Sequence, residues 1–77
     1  MAKAFRPSVS YRNQEGKDVS LRVSTYAEVK KRMNAFMNDS VNDCVNVYRH
    51  RRGEWGEWFE HWEKQGNKNV IVKQGWQ

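Results

Sequence analysis

Seven side chains between residues 44 and 63 of this 77-residue chain could act as bases, nucleophiles or metal ligands. They are Cys44, His50, His61 and the glutamates Glu54, Glu57, Glu60 and Glu63. General acid–base work would need carboxylates or imidazoles held beside a substrate pocket, with their protonation set by burial and neighbours. A nucleophilic cysteine needs a base or cation that stabilises the thiolate, and nothing near Cys44 in the sequence supplies one. Structural zinc calls for four ligands in tight pairs such as C-x2-C or H-x3-H, and neither spacing occurs. The chain also lacks a glycine-rich phosphate loop and a nucleophile elbow. These residues therefore predict a salt-bridged, solvated surface with no enzyme, no metal and no cofactor.

Binding is the chemistry that remains. The chain has a net charge of +5, a balance suited to a polyanion or an acidic protein surface. The charge is uneven: residues 1–37 hold all of the excess, whereas residues 38–77 balance. Arginines can supply phosphate contacts, and exposed rings can stack on unpaired bases. Which of them share a surface depends on the elements that carry them.

Seventy-seven residues leave room for a single domain, 1–77, and one core. A chain of this length buries only roughly 60% of its unfolded surface. One cysteine excludes an internal disulfide and fits a reducing compartment. No apolar run approaches the ~20 residues that span a bilayer, and "MAKAFRPSVS" lacks the apolar stretch of a signal peptide. A cytoplasmic protein with no membrane contact is expected.

From Phe5 to Arg12 the sequence alternates, with Phe5, Pro7, Val9 and Tyr11 on one side and Arg6, Ser8, Ser10 and Arg12 on the other. This is the period of a half-buried strand. Pro7 has no backbone donor, so the strand should lie at an edge or begin after it. "NQEGKD" reads as a turn with Gly16 at positive φ. Val19, Leu21 and Val23 then alternate with Ser20, Arg22 and Ser24, which completes a hairpin. At "STYAEVKKRMNAFMNDS" the period changes. Thr25 followed by Glu28 is a capping box, and Tyr26, Val29, Met33, Phe36 and Met37 recur at helical spacing, predicting one helix over 25–38. "CVNVYRHRR" and "NVIVKQGW" read as strands.

The stretch "RRGEWGEWFEHWEKQG" admits two readings. As a helix it places Trp55, Trp58, Phe59 and Trp62 at i, i+3, i+4 and i+7, but Gly56 in the first turn would cost up to about 1 kcal/mol. As a hairpin with "GEWG" at the turn, it sets Arg52 opposite Glu57, Arg51 opposite Trp58, Arg49 opposite Glu60 and Val47 opposite Trp62. Two opposite-charge pairs and an Arg–Trp contact then follow from one register. The hairpin explains why a basic run meets an acidic one, and it is preferred. It turns Val45, Val47, Trp58 and Trp62 inward and Tyr48, His50, Phe59 and His61 outward. The predicted fold is α+β, a small antiparallel sheet with one helix on one face, ββαβββ. The helical reading gives ββαβαβ instead, with a second short helix at 55–65.

On that fold the candidate binding residues are Arg6, Arg12, Arg22, Tyr48, His50 and Phe59 on the open sheet face, with Lys30, Lys31 and Arg32 on the helix. They imply a small basic, non-enzymatic module acting on nucleic acid or a nucleoprotein complex. The second expectation is an adaptor or inhibitor that docks on an acidic protein surface without touching nucleic acid. Across residues 19–73 the order of elements, with its "STYAE" helix start and G-E-W hairpin, resembles small phage-encoded inhibitors of the anti-CRISPR type. That resemblance implies inhibition of a host defence complex, approached through basic residues. Many such inhibitors are acidic mimics of DNA, and the charge here departs from that pattern. It carries over no individual residue. Partner identity, strand preference and oligomeric state have no signature in the sequence.

Overall fold

The computed structural model describes residues 6–50 and 56–76. The chain is α+β. Its elements run β1 (Ser8–Arg12), β2 (Asp18–Arg22), α1 (Tyr26–Lys31), α2 (Met33–Asp39), β3 (Cys44–Arg49), β4 (Trp58–Gln65) and β5 (Lys68–Trp76). Among the described residues the strands form one antiparallel sheet in the order β2-β1-β3-β4-β5.

The first hairpin follows the alternation of its sequence. β1 starts at Ser8, directly after Pro7, whose carbonyl accepts from the Val23 amide at 2.9 Å. β1 can therefore lie inside the sheet, because the residue without a donor stays outside the ladder. At the turn, Gly16 takes φ 79° and the Asn13 side chain accepts from the amides of Glu15 and Lys17. Gln14 ties this loop to the end of α2 by donating to the carbonyls of Asn38 and Ser40.

The single predicted helix is divided. Arg32 sits at φ −95°, ψ 4°, between α1 and α2, away from the helical well. The hydrogen-bond ladder survives on both sides, from the Arg32 amide to Glu28 and from the Phe36 amide to Arg32. Periodicity could not report this break, because Val29, Met33, Phe36 and Met37 form the same buried stripe on a straight helix or a bent one. The two segments serve different strands: Tyr26 of α1 reaches Glu60 on β4, while Asp39 of α2 reaches Tyr11 on β1. Half of the expected capping box is present: Thr25 Oγ1 accepts from the Glu28 amide at 3.1 Å, while the Glu28 side chain makes no return bond to the Thr25 amide. Beyond α2, the buried Ser40 hydroxyl accepts from the amides of Asn42 and Cys44 and donates to the Cys44 carbonyl. It thus turns the chain into β3.

Residues 58–65 form a strand, so the helical alternative over 55–65 is overturned for the described part of that range. Trp55, Arg51 and Arg52 lie outside the described residues, as does most of the proposed "GEWG" turn. The predicted register is corrected by two residues: Arg49 pairs with Trp58, Val47 with Glu60 and Val45 with Trp62. A slip of two preserves every side chain's face, so Trp58 and Trp62 still point toward the helices. Glu60 goes with them, and it is only 1% exposed. The solvated position expected for Glu60 is therefore wrong.

Val9, Val23, Val29, Met33, Phe36, Met37, Val45 and Val47 form the core between the helices and one sheet face, with Tyr11, Leu21, Tyr26 and Trp62 packed against it. β4 and β5 join through Gly66 and Asn67, with Gly66 at φ 65°. A bulge interrupts their pairing. His61 faces Lys73 and Trp62 faces Ile71, which leaves Val72 as the extra residue of β5.

Candidate functional site

The strand registers arrange the open face in rows. Arg22, Ser8, Tyr48, Phe59 and Gly75 lie side by side across the sheet. Two residues along each strand, the next row reads Ser20, Ser10, Asn46, His61 and Lys73. Beyond it, Arg12 faces Asp18, and Cys44 faces Glu63. The alternate residues, including Val9, Val45 and Val47, supply the core on the other side.

Tyr48 and Phe59 are half-buried neighbours with ring centroids 5.3 Å apart, tilted by 43°. Small residues flank them in their row, Ser8 on one side and Gly75 on the other. Arg12 and Arg22 stand exposed at the β1–β2 side of the same face. Arg12 pairs with Asp18 at 3.3 Å, and Arg22 reaches the Arg6 carbonyl at 3.5 Å. His61 is held at both ring nitrogens, Nδ1 at 2.6 Å from Asn46 Oδ1 and Nε2 at 3.2 Å from Glu63 Oε2.

An open depression of about 450 Å³, with a mixed polar and apolar lining, begins one row along the sheet from Tyr48, at Asn46 and Ser10. It forms where β1 and β3 part company: they pair only from Ser8 to Ser10, after which the start of β3 turns away into the Ser40 loop. Ser10, Ser20 and Asn46 line it, together with Arg12, Asp18 and Cys44. The Cys44 thiol is pushed up by burial and further by Glu63 and Asp43. It is therefore held neutral at physiological pH, the opposite of an activated nucleophile.

Of the candidate residues read from the sequence, Arg12, Arg22, Tyr48 and Phe59 share the open face. Arg6 precedes β1 and His50 follows β3, both exposed. Lys30, Lys31 and Arg32 are exposed at the helix junction, on the opposite side of the sheet. Two of these cations lie over rings: Lys30 Nζ is 5.1 Å from the Tyr26 centroid, and the Arg32 guanidinium is 5.1 Å from that of Phe36. The candidates thus form two separate groups. No cluster of three or more Cys, His, Asp or Glu side chains suited to a metal occurs among the described residues, and no helix there is long and apolar enough to cross a membrane.

A third constellation surrounds Glu60, and of it only the Arg49–Glu60 pair was read from the sequence. Its Oε1 accepts from Tyr26 at 2.6 Å and from Trp62 Nε1 at 3.0 Å, while its Oε2 accepts from Trp58 Nε1 at 3.1 Å and from Arg49 Nε at 3.3 Å. Four donors fill the four lone-pair positions of one carboxylate. The Arg49 guanidinium also stacks on the Tyr26 ring at 3.9 Å. Burial and the bond to Glu60 hold the Tyr26 hydroxyl far above its usual pKa. The signal was available, since a strand that turns Trp58 and Trp62 inward must turn Glu60 inward as well. Comparison of the chain with protein families, with curated proteins and with solved structures finds no match.

Proposed function

We propose that this protein binds single-stranded nucleic acid on its open sheet face, as a non-enzymatic module. One observation carries the reading: Tyr48 and Phe59 form an adjacent ring pair on a face whose other side chains are mostly small, polar or cationic. The helix-side face uses its rings for the core and for Glu60. The open face has no covering element among the described residues, and the residues that flank the half-buried ring pair in its row, Ser8 and Gly75, are small. Bases stack on such rings regardless of sequence, and arginines beside them take the phosphates. Duplex DNA presents no unstacked base to this ridge. An inhibitor role of the kind the sequence resemblance implies would use the same face, by competing for the nucleic acid of a host complex.

Fluorescence anisotropy with labelled single-stranded and duplex oligonucleotides at several salt concentrations tests this. Single strands should bind more tightly, and Phe59→Ala should weaken them by about 1–3 kcal/mol, the worth of one stacked base. Replacing Arg22 by Gln should flatten the log–log salt slope by roughly 0.7 for the phosphate that is no longer neutralised, and Arg12→Gln should change it less, because Arg12 is already paired with Asp18. Absence of binding at low salt would reject the reading.

A second reading rests on the other group of cations. Lys30, Lys31 and Arg32 lie on the helix side, away from the ring pair, and suit an acidic protein surface. If their joint neutralisation abolishes binding to a partner while Phe59→Ala leaves it intact, the helix side is the interface.

A further inference from the structure

We infer that the depression one row along from Tyr48 is a ribose subsite, so that the open face prefers RNA to DNA. This rests on the single-strand reading above and specifies its ligand. The lining of the depression includes Ser10, Ser20, Asn42 and Asn46, with Tyr11 and Val19 among its other residues. Neither serine hydroxyl takes a protein hydrogen-bond partner among the described residues. Asn46 commits its carbonyl oxygen to His61, which leaves its NH₂ donors for another acceptor. The lining therefore offers groups that donate and groups that both donate and accept, the complement of a single hydroxyl that does both.

Charge separates a sugar from a phosphate here. Among the described residues the guanidinium lining the depression is that of Arg12, already paired with Asp18 at 3.3 Å. A phosphate placed inside would meet the Asp18 carboxylate as well as the arginine, whereas a neutral ribose meets no such repulsion. Phosphates are better served at the exposed Arg22, at the end of the ring-pair row.

Geometry supplies the register. Tyr48 and Asn46 are two residues apart on β3, a spacing of roughly 7 Å along a strand. A base stacked on Tyr48 projects its sugar by a comparable distance, and Ser10 lies directly opposite Asn46. One nucleotide can thus place its base on the ring and its 2′-hydroxyl among Ser10, Ser20 and Asn46. That hydroxyl, both donor and acceptor, is what distinguishes RNA from DNA at a site.

The experiment measures affinity for an RNA oligonucleotide, the DNA of the same sequence and the 2′-O-methyl RNA, using the full chain. Wild-type protein should favour RNA over DNA by about tenfold, the worth of one or two hydrogen bonds, and 2′-O-methylation should remove the preference. In the double variant S10A/S20A the RNA-to-DNA ratio should fall toward one with DNA affinity unchanged. The ligand modifications need no mutant, so the outcome does not depend on a variant's folding. Equal binding of RNA and DNA by the wild type would overturn the ribose subsite while leaving the single-strand reading intact. Persistence of the preference in S10A/S20A would overturn the location. Failure to bind any single strand would overturn the single-strand reading itself, and the subsite with it.

Discussion

The two faces of this sheet receive aromatic side chains from the same strand, β4, and treat them in opposite ways. Trp58 and Trp62 turn toward the helices, where their indole N–H groups are both spent on Glu60. Phe59, between Trp58 and Glu60 in sequence, turns away and meets Tyr48 with Ser8 and Gly75 on either side. Inward rings are fixed by a charge that needs every one of its donors, because an unpaired buried carboxylate is costly. Outward rings touch each other and small neighbours, so little stability depends on them. An aromatic residue's role in a small sheet protein is thus set by which polar groups its own strand places beside it. Ring content alone does not decide it.

The largest effect that can test this contrast is at the carboxylate. Glu60→Ala strands the donors of Tyr26, Trp58 and Trp62 and removes the partner of Arg49, whose side chain is 24% exposed. It should cost about 3–5 kcal/mol in chemical denaturation. Glu60→Gln, which retains acceptor geometry at one oxygen, should cost less. If Glu60→Ala were neutral, the inward rings would be held by packing alone and the contrast would disappear.

Alkaline titration probes the same face through its tyrosines. Tyr11 is pushed up to about 12, first by burial and then by its bond to Asp39, and Tyr26 is raised further by burial and Glu60. Between the unfolded value of 10.0 and these higher folded values, the native state binds more protons than the unfolded chain. Stability should therefore be fully present below pH 10, fall as pH rises beyond it, and continue to fall until the folded hydroxyls ionise. Melting temperatures of Tyr11→Phe and Tyr26→Phe should decline less steeply over that range than those of the wild type.

Two smaller effects sharpen the comparison. Thr25→Ala removes the acceptor for the Glu28 amide at the start of α1 and should cost about 1 kcal/mol in thermal melts. Tyr48→Thr on the open face keeps a β-favouring residue but no longer meets the Phe59 ring, so its cost should stay near roughly 0.5–1.5 kcal/mol. A destabilisation as large as that of Glu60→Ala would mean that the open face holds the fold together too.

Much of this architecture was legible in the alternation of small segments. The first hairpin, the Thr25 cap, the buried stripe from Val29 to Met37 and the inward turn of Val45, Val47, Trp58 and Trp62 all follow from period and local chemistry. Register between β3 and β4 did not, because a period of two is blind to a shift of two. The expected Arg49–Glu60 pair does form, at 3.3 Å, but as a diagonal contact with Trp58 directly opposite Arg49. The helix break at Arg32 was hidden for a similar reason, since a stripe records facing and not straightness. At the candidate site, Tyr48, Phe59, Arg12 and Arg22 could be placed on one face from sequence. The depression could not, because it arises where the pairing of β1 and β3 ends, a property of two strands together.

Val72 gives β5 a further role. A nine-residue strand at the border of a sheet presents a row of amides and carbonyls on which another chain could continue the ladder. The extra residue divides that row into Lys68–Ile71 and Lys73–Trp76, and a bulge bends and twists the strand that carries it. An incoming straight strand can match one segment or the other, but not both in one register. The uncharged segment "NVIV", three of whose four residues are β-branched, ends at this irregularity. The same residue that disturbs the pairing of β4 and β5 therefore makes the outer edge of β5 a poorer template for an added strand.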